Sequence, residues 1–216
     1  LILIAGEPYP TTSEGWFALF QRNKLLGLWY LNALDIISIA LLGIMFLAIY
    51  VALRRIRPSW MLMALYFALL GVAVFVVPRV LTLAVVPLSD LHSAATTAAE
   101  RAAYVAAWEA LSHVTTATPQ TFGWLMMAVA GLIISVVVVR SGMQSLPFGK
   151  MGGYVGIMGF VVAIGNYASW VFVPSIAAVL LPINGLLWLI WWLMMSVGLF
   201  RLANETPDQG QDPRTK

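Results

Sequence analysis

Long apolar runs punctuated by arginine and proline dominate this chain. The fullest is Leu28–Leu53, LWYLNALDIISIALLGIMFLAIYVAL, closed at once by Arg54, Arg55, Ile56, Arg57 and Pro58. At about 1.5 Å of rise per residue it exceeds the roughly 30 Å of a bilayer's hydrocarbon, so it predicts a membrane span. Four further runs have the same character: 60–86, 121–139, 151–173 and 183–200. Pro78 interrupts the second, where the carbonyl of Val74 would lose its donor. Pro174 and Pro182 bracket a brief re-entry before the last. Leu1 to Ala5 read as the end of an upstream span.

Between the spans the pattern changes. In EPYPTTSEGWFALFQRNK, Thr11 and Glu14 have capping-box spacing, and Trp16, Phe17 and Phe20 make an aromatic face, which predicts a short helix lying in the membrane interface. From 91 to 119 small and polar residues replace the apolar runs. Thr97 and Glu100 repeat the capping spacing, and Tyr104, Trp108 and Leu111 recur at helical intervals, predicting an extramembrane helix over 97–117. The tail 202–216 is polar and contains proline and glycine, as disordered segments do. The expected fold is an all-α, polytopic transmembrane helix bundle: five complete spans plus a truncated first span, one amphipathic helix outside the membrane, and a single domain over 1–201.

Composition places the chain in the membrane class. Only 10% of residues are charged and mean hydropathy is +0.89, far from the quarter charged typical of soluble domains. The net charge of +3 is dispersed, leaving no basic patch for nucleic acid, and the absence of cysteine excludes disulfides and thiolate chemistry. Counting basic residues on alternate sides sets orientation. With the Arg54–Arg57 cluster inside, Arg140, Lys150, Arg201, Arg214 and Lys216 join it, against Arg22, Lys24 and Arg101 outside. This excess predicts an inner-membrane protein with a cytoplasmic C-terminus.

Candidate chemistry is sparse. Asp35 and Arg79 are ionisable residues inside apolar runs, at similar depth near the outer surface, and antiparallel neighbours would bring them together. They would form either a structural ion pair or part of an outward-facing polar pocket, which Asn32, one turn before Asp35, would extend. Asn166 and Asn184 read as interhelical hydrogen-bonders, alongside Ser169 and Ser196. Outside the membrane, His92, Glu109 and His113 are weaker candidates. Glu109 and His113 share a helix face at i, i+4, but two residues do not make a zinc site and there is no HExxH motif. No catalytic residue, metal site or cofactor is expected. Gly152 and Gly156 form a GxxxG pair that Gly159 and Ala163 continue, a face on which a homo-oligomer or another membrane partner would approach closely, beside the lipid bilayer itself.

The stretches EPYPTTSEGWFALFQRNKLLGLWYLNALD, YVALRRIRPS and TFGWLMMAVAGLIISVVVVRSG resemble a bacterial and archaeal family of six-span integral membrane proteins of unknown function. The resemblance covers nearly the whole chain, which lacks most of the first span. It implies six helices and an exterior alanine-rich helix, and carries over no catalytic residue. The expected function is therefore a non-enzymatic binding, sensory or assembly component. The alternative is a small transporter or channel-like protein with a polar site at Asp35 and Arg79.

Overall fold

The computed structural model describes residues 8–31, 33–116, 118–141 and 149–205, mostly helix, with no strand among them. The helices are α1 (Ser13–Arg22), α2 (Lys24–Tyr30), α3 (Asp35–Leu53), α4 (Pro58–Thr82), α5 (Val85–Ala94), α6 (Ala98–Thr116), α7 (Thr118–Arg140), α8 (Gly149–Phe172) and α9 (Pro174–Glu205). Five stretches, Asp35–Leu53, Pro58–Ala94, Phe122–Arg140, Gly149–Trp170 and Ser175–Arg201, are long and apolar enough to cross a membrane. That is the pattern of a multi-pass membrane protein. Along α3 the exposed residues Ile37, Leu41, Ile44 and Val51 are all large and apolar, as a lipid-facing stripe requires.

The chain divides into two compact units, Leu1–Leu42 with Val72–Gly123, and Gly43–Gly71 with Trp124–Lys216. In the first, α1 is capped by Thr12, whose hydroxyl accepts from the Gly15 amide at 3.1 Å, one residue later than the expected Thr11–Glu14 box. Asn23 then ends α1 and starts α2: its amide donates to Leu19 O and its side chain accepts from Leu26 N. This single-residue joint folds α2 back until Gly27 lies against Phe20, so close that a Cβ there would meet the ring at 2.8 Å. The aromatic face of α1 is not spread on lipid. Trp16, Phe17 and Phe20 are buried in a cluster with Tyr30, Val85 and Trp108. Trp16 meets Phe20 and Trp108 with ring centroids 6.4 Å apart in both cases. The helix over 97–117 appears as α6, and its capping box forms: the Glu100 amide donates to Thr97 Oγ1, and the Glu100 carboxylate accepts from the Thr96 and Thr97 amides.

Three expected spans are redrawn. The run 28–53 is broken, with α2 ending at Tyr30 and α3 starting at Asp35. A continuous helix would carry the carboxylate two turns into hydrocarbon, whereas starting at Asp35 sets it at a helix N-terminus, where the macrodipole favours an anion. The run 60–86 stops at Thr82. Pro78 stays inside α4, Leu83 and Ala84 close with three-residue backbone bonds, and α5 resumes at Val85. The re-entry between Pro174 and Pro182 does not occur. Pro174 is the first residue of α9, where its missing N–H costs nothing, and Pro182 is absorbed into a helix of 32 residues. α9 runs to Glu205, so the start of the expected disordered tail is helical; 206–216, like the expected upstream span, lie outside the described residues.

In the second unit Gly156 and Gly159, of the face expected to admit a partner, pack against helices of this chain. A Cβ on Gly131 would meet the Phe160 ring at 2.2 Å, and one on Gly153 would meet Val139 at 2.5 Å, which sets α7 against α8. A Cβ on Gly156 would meet both Ser135 Oγ and the Trp191 indole, and one on Gly159 would meet Leu187. α8 therefore comes close to the backbone of α7 at Gly153 and of α9 at Gly159, beside Phe160 and Trp191, whose rings lie 4.8 Å apart. Phe46 of α3 joins them, 6.5 Å from Trp191.

Candidate functional site

The first unit holds the expected charged pair. Arg79 Nη2 lies 3.4 Å from Asp35 Oδ2, and the Arg79 guanidinium also stands 5.4 Å from the centroid of Phe75, one turn earlier on α4. The Arg79 side chain is 18% exposed and that of Asp35 41%. The separation is an ion pair rather than a short charge-assisted hydrogen bond, which would lie near 2.8 Å. Pro78 withholds a donor from the Val74 carbonyl, and at the end of α4 the Thr82 hydroxyl donates to the carbonyl of Arg79 at 2.7 Å. Asn32 lies outside the described residues.

The outer candidates are placed apart from one another. The His92 ring packs on Phe17 with centroids 4.9 Å apart. Glu109 accepts a hydrogen bond from Ser13 at 3.2 Å, joining α6 to the start of α1. His113 is exposed one turn further along α6. Among the described residues no group of three or more His, Cys, Asp or Glu side chains could hold a metal ion. The polar work of this surface is structural. Lys24 Nζ contacts Asp90 at 2.9 Å, and Gln21 Nε2 donates to both Asp90 and Ser89. Backbone amides of Thr97 and Thr96, donating to Glu100, hold its carboxyl below the ordinary value of 4.5.

The second unit contains buried polar groups without partners. Asn166 is fully buried with neither amide atom bonded, Asn184 is buried with its carbonyl oxygen unbonded, and the indole N–H groups of Trp188, Trp191 and Trp192 are buried without acceptors. Asn184 does hydrogen-bond Tyr167, as an interhelical bonder should; Asn166, expected to do the same, does not. Helix register explains the grouping. Gly156 faces Trp191 and Gly159 faces Leu187, so Ala163 faces Asn184, and Asn166 follows one turn along α8. Asn184, Trp188 and Trp191 fall at i, i+4 and i+7 on α9, a spacing visible in the sequence.

Comparison of the chain with models of known families, with curated proteins and with solved structures finds no match.

Proposed function

We propose that the protein is a multi-pass component of the cell membrane, with its C-terminus in the cytoplasm, that works by binding or assembly rather than by catalysis. The observation that carries this reading is the state of the ionic groups around α1, α5 and α6. Lys24 is paired with Asp90, Glu100 closes its own helix cap, Glu109 holds Ser13, and Arg101 donates to the Ala95 carbonyl. Charges spent on shape leave a preformed surface. Leu25 and Trp29, one turn apart on α2, are 80% and 51% exposed on it, the kind of apolar contact a membrane partner would cover. The excess of basic residues at the opposite span ends supports the orientation.

A second reading, a small transporter or channel-like protein, draws on the partial exposure of Asp35 beside Arg79 within the apolar runs. One experiment separates the two. The purified chain in liposomes is loaded with pH- and cation-sensitive dyes, and flux is compared with empty liposomes and with the Asp35→Asn variant. The binding reading expects wild-type flux at the empty-liposome level; flux that Asp35→Asn abolishes would replace it with the transport reading. Cysteines placed at Ser59 and Ser141 should resist an impermeant thiol reagent in intact cells, and labelling from outside would invert the orientation.

A further inference from the structure

Two helices of the first unit turn opposite kinds of surface outward. On α6 every exposed position between 98 and 113 is alanine, glutamate, arginine or histidine, a surface suited to water. The sequence of α2, KLLGLWY, has Lys24 as its single charged residue, and that amine is already paired with Asp90. Gly27 and Tyr30 turn inward, Gly27 against Phe20 and Tyr30 into the aromatic cluster. Leu25 and Trp29, one turn apart, are left 80% and 51% exposed.

The place of α2 in the chain says what covers this face. Ala33 N donates to Leu28 O at 3.0 Å and Ser38 N to Leu34 O at 3.1 Å, so the connector folds on itself and holds the end of α2 close to the start of α3. Along that start Leu34, Ile37 and Leu41 are 52%, 58% and 60% exposed, the beginning of the lipid-facing stripe. The partly exposed Asp35, paired with Arg79, marks the level at which ions still reach water. A leucine and a tryptophan held beside the start of a span therefore stand where headgroups meet acyl chains, the depth that tryptophan favours. We infer that the occupant of this face is the lipid bilayer: α2 lies in the membrane interface, with Leu25 and Trp29 toward the acyl chains and Gly27 and Tyr30 on protein. The interfacial role expected of α1, whose aromatic face is buried, passes to α2. This names the partner of the apolar contact on which the binding reading draws, and it rests on the multi-pass reading.

The chain has no cysteine, so a single introduced one carries a nitroxide label at a known place. Leu25→Cys, Trp29→Cys, Leu41→Cys and Ala102→Cys are each made in the full chain, labelled and reconstituted into phosphatidylcholine vesicles, which carry no net charge to attract the basic residues. Spin relaxation reads collision with oxygen, which concentrates in hydrocarbon, and with a water-soluble nickel chelate. The labels at 25 and 29 should show an oxygen-to-nickel collision ratio at least about fivefold above that at 102 and below that at 41, as burial to about 5–10 Å requires. Leu25 is so exposed that its variant keeps the packing even where Trp29→Cys disturbs it. A ratio at 25 equal to that at 102 would overturn the inference, because the face would lie in water. Low collision rates with both reagents would overturn it too, since protein, here a second copy of the chain, would then cover the face. Nickel contact at 41 as free as at 102 would bring down the multi-pass reading and the inference with it, a failure distinct from the other two.

Discussion

The pair between Asp35 and Arg79 yields a thermodynamic cycle with a definite expected value. At 3.4 Å and an effective dielectric constant of about 20, the bare attraction is about 5 kcal/mol. Most of it is cancelled. The Asp35 side chain is 41% exposed, so water screens the carboxylate, and exposed pairs measure only about 0.2–1 kcal/mol. Arg79, at 18%, lies nearer the buried case, where removing one partner costs about 3–5 kcal/mol. The two singles should therefore differ. Asp35→Asn strands a largely buried guanidinium and should cost about 2 kcal/mol. Arg79→Gln also loses the Phe75 contact, worth about 0.5–1 kcal/mol. It leaves the carboxylate at the start of α3, however, where the helix dipole returns a similar amount, so its cost should be about 1–2 kcal/mol. The double variant should be milder than the sum by about 1 kcal/mol. Equilibrium unfolding in mixed detergent micelles, followed by circular dichroism, measures all four corners. A coupling within about 0.3 kcal/mol of zero would refute the pairing.

Glycine substitutions test the helix packing. Gly131→Ala and Gly156→Ala should each destabilise by about 1–3 kcal/mol, because their Cβ atoms would lie 2.2 Å from Phe160 and 2.1 Å from Ser135 Oγ. Gly165→Ala and Gly185→Ala, with nothing within 4 Å, should be neutral or gain up to about 1 kcal/mol; thermal unfolding in detergent reads both pairs, and equal effects would contradict the packing. Acid should loosen the start of α6. Because the Glu100 pKa is lowered in the fold, its contribution is complete above its ordinary value of 4.5 and is lost as pH falls through the depressed value. Amide exchange at Thr96 and Thr97 should quicken over that range, and Glu100→Gln should remove the dependence. In the seam, Asn184→Leu should cost about 1 kcal/mol by breaking its bond to Tyr167, whereas Asn166→Leu should gain about 1–2 kcal/mol.

Much of the architecture was legible because membranes simplify the code. A run of about twenty apolar residues has few stable alternatives to a helix, so 121–139 and 151–173 appear as α7 and α8 with ends within a few residues. The Thr97–Glu100 spacing specified a cap and formed one. Misreadings came where hydropathy outweighed local chemistry. Asp35 divides the first run, because a carboxylate prefers a helix start to hydrocarbon, and Asn23, ahead of that run, ends one helix and starts the next. Pro174 and Pro182 misled in the other direction. Proline is a strong breaker in water, but at the first position of a helix it breaks nothing, and inside a helix of 32 residues the neighbouring bonds hold across it. The glycine stripe was legible as a close-approach face but not as to whose helix approaches, because no spacing within α8 encodes whether α7 and α9 or a second chain fills the gap.

The seam around Asn166 shows how far polarity in an apolar run can be read. Hydropathy alone makes Asn166 and Asn184 equivalent, both one residue of cost in a long favourable run. The register separates them: opposite Ala163, Asn184 has room to reach Tyr167, while Asn166 meets a level of α9 near Leu180, which offers it no polar side chain. An amide with neither atom bonded is unfavourable in any dry interior. Either a water or polar ligand completes it, or its carbonyl and amide are simply a cost that other packing offsets. The Asn166→Leu variant decides which. Removing a dry, unbonded amide stabilises, and removing one that anchors a bridging molecule destabilises. A gain in stability therefore marks Asn166 as a dry cost of the packing, and a loss marks it as part of a neutral hydrogen-bonding site in the second unit.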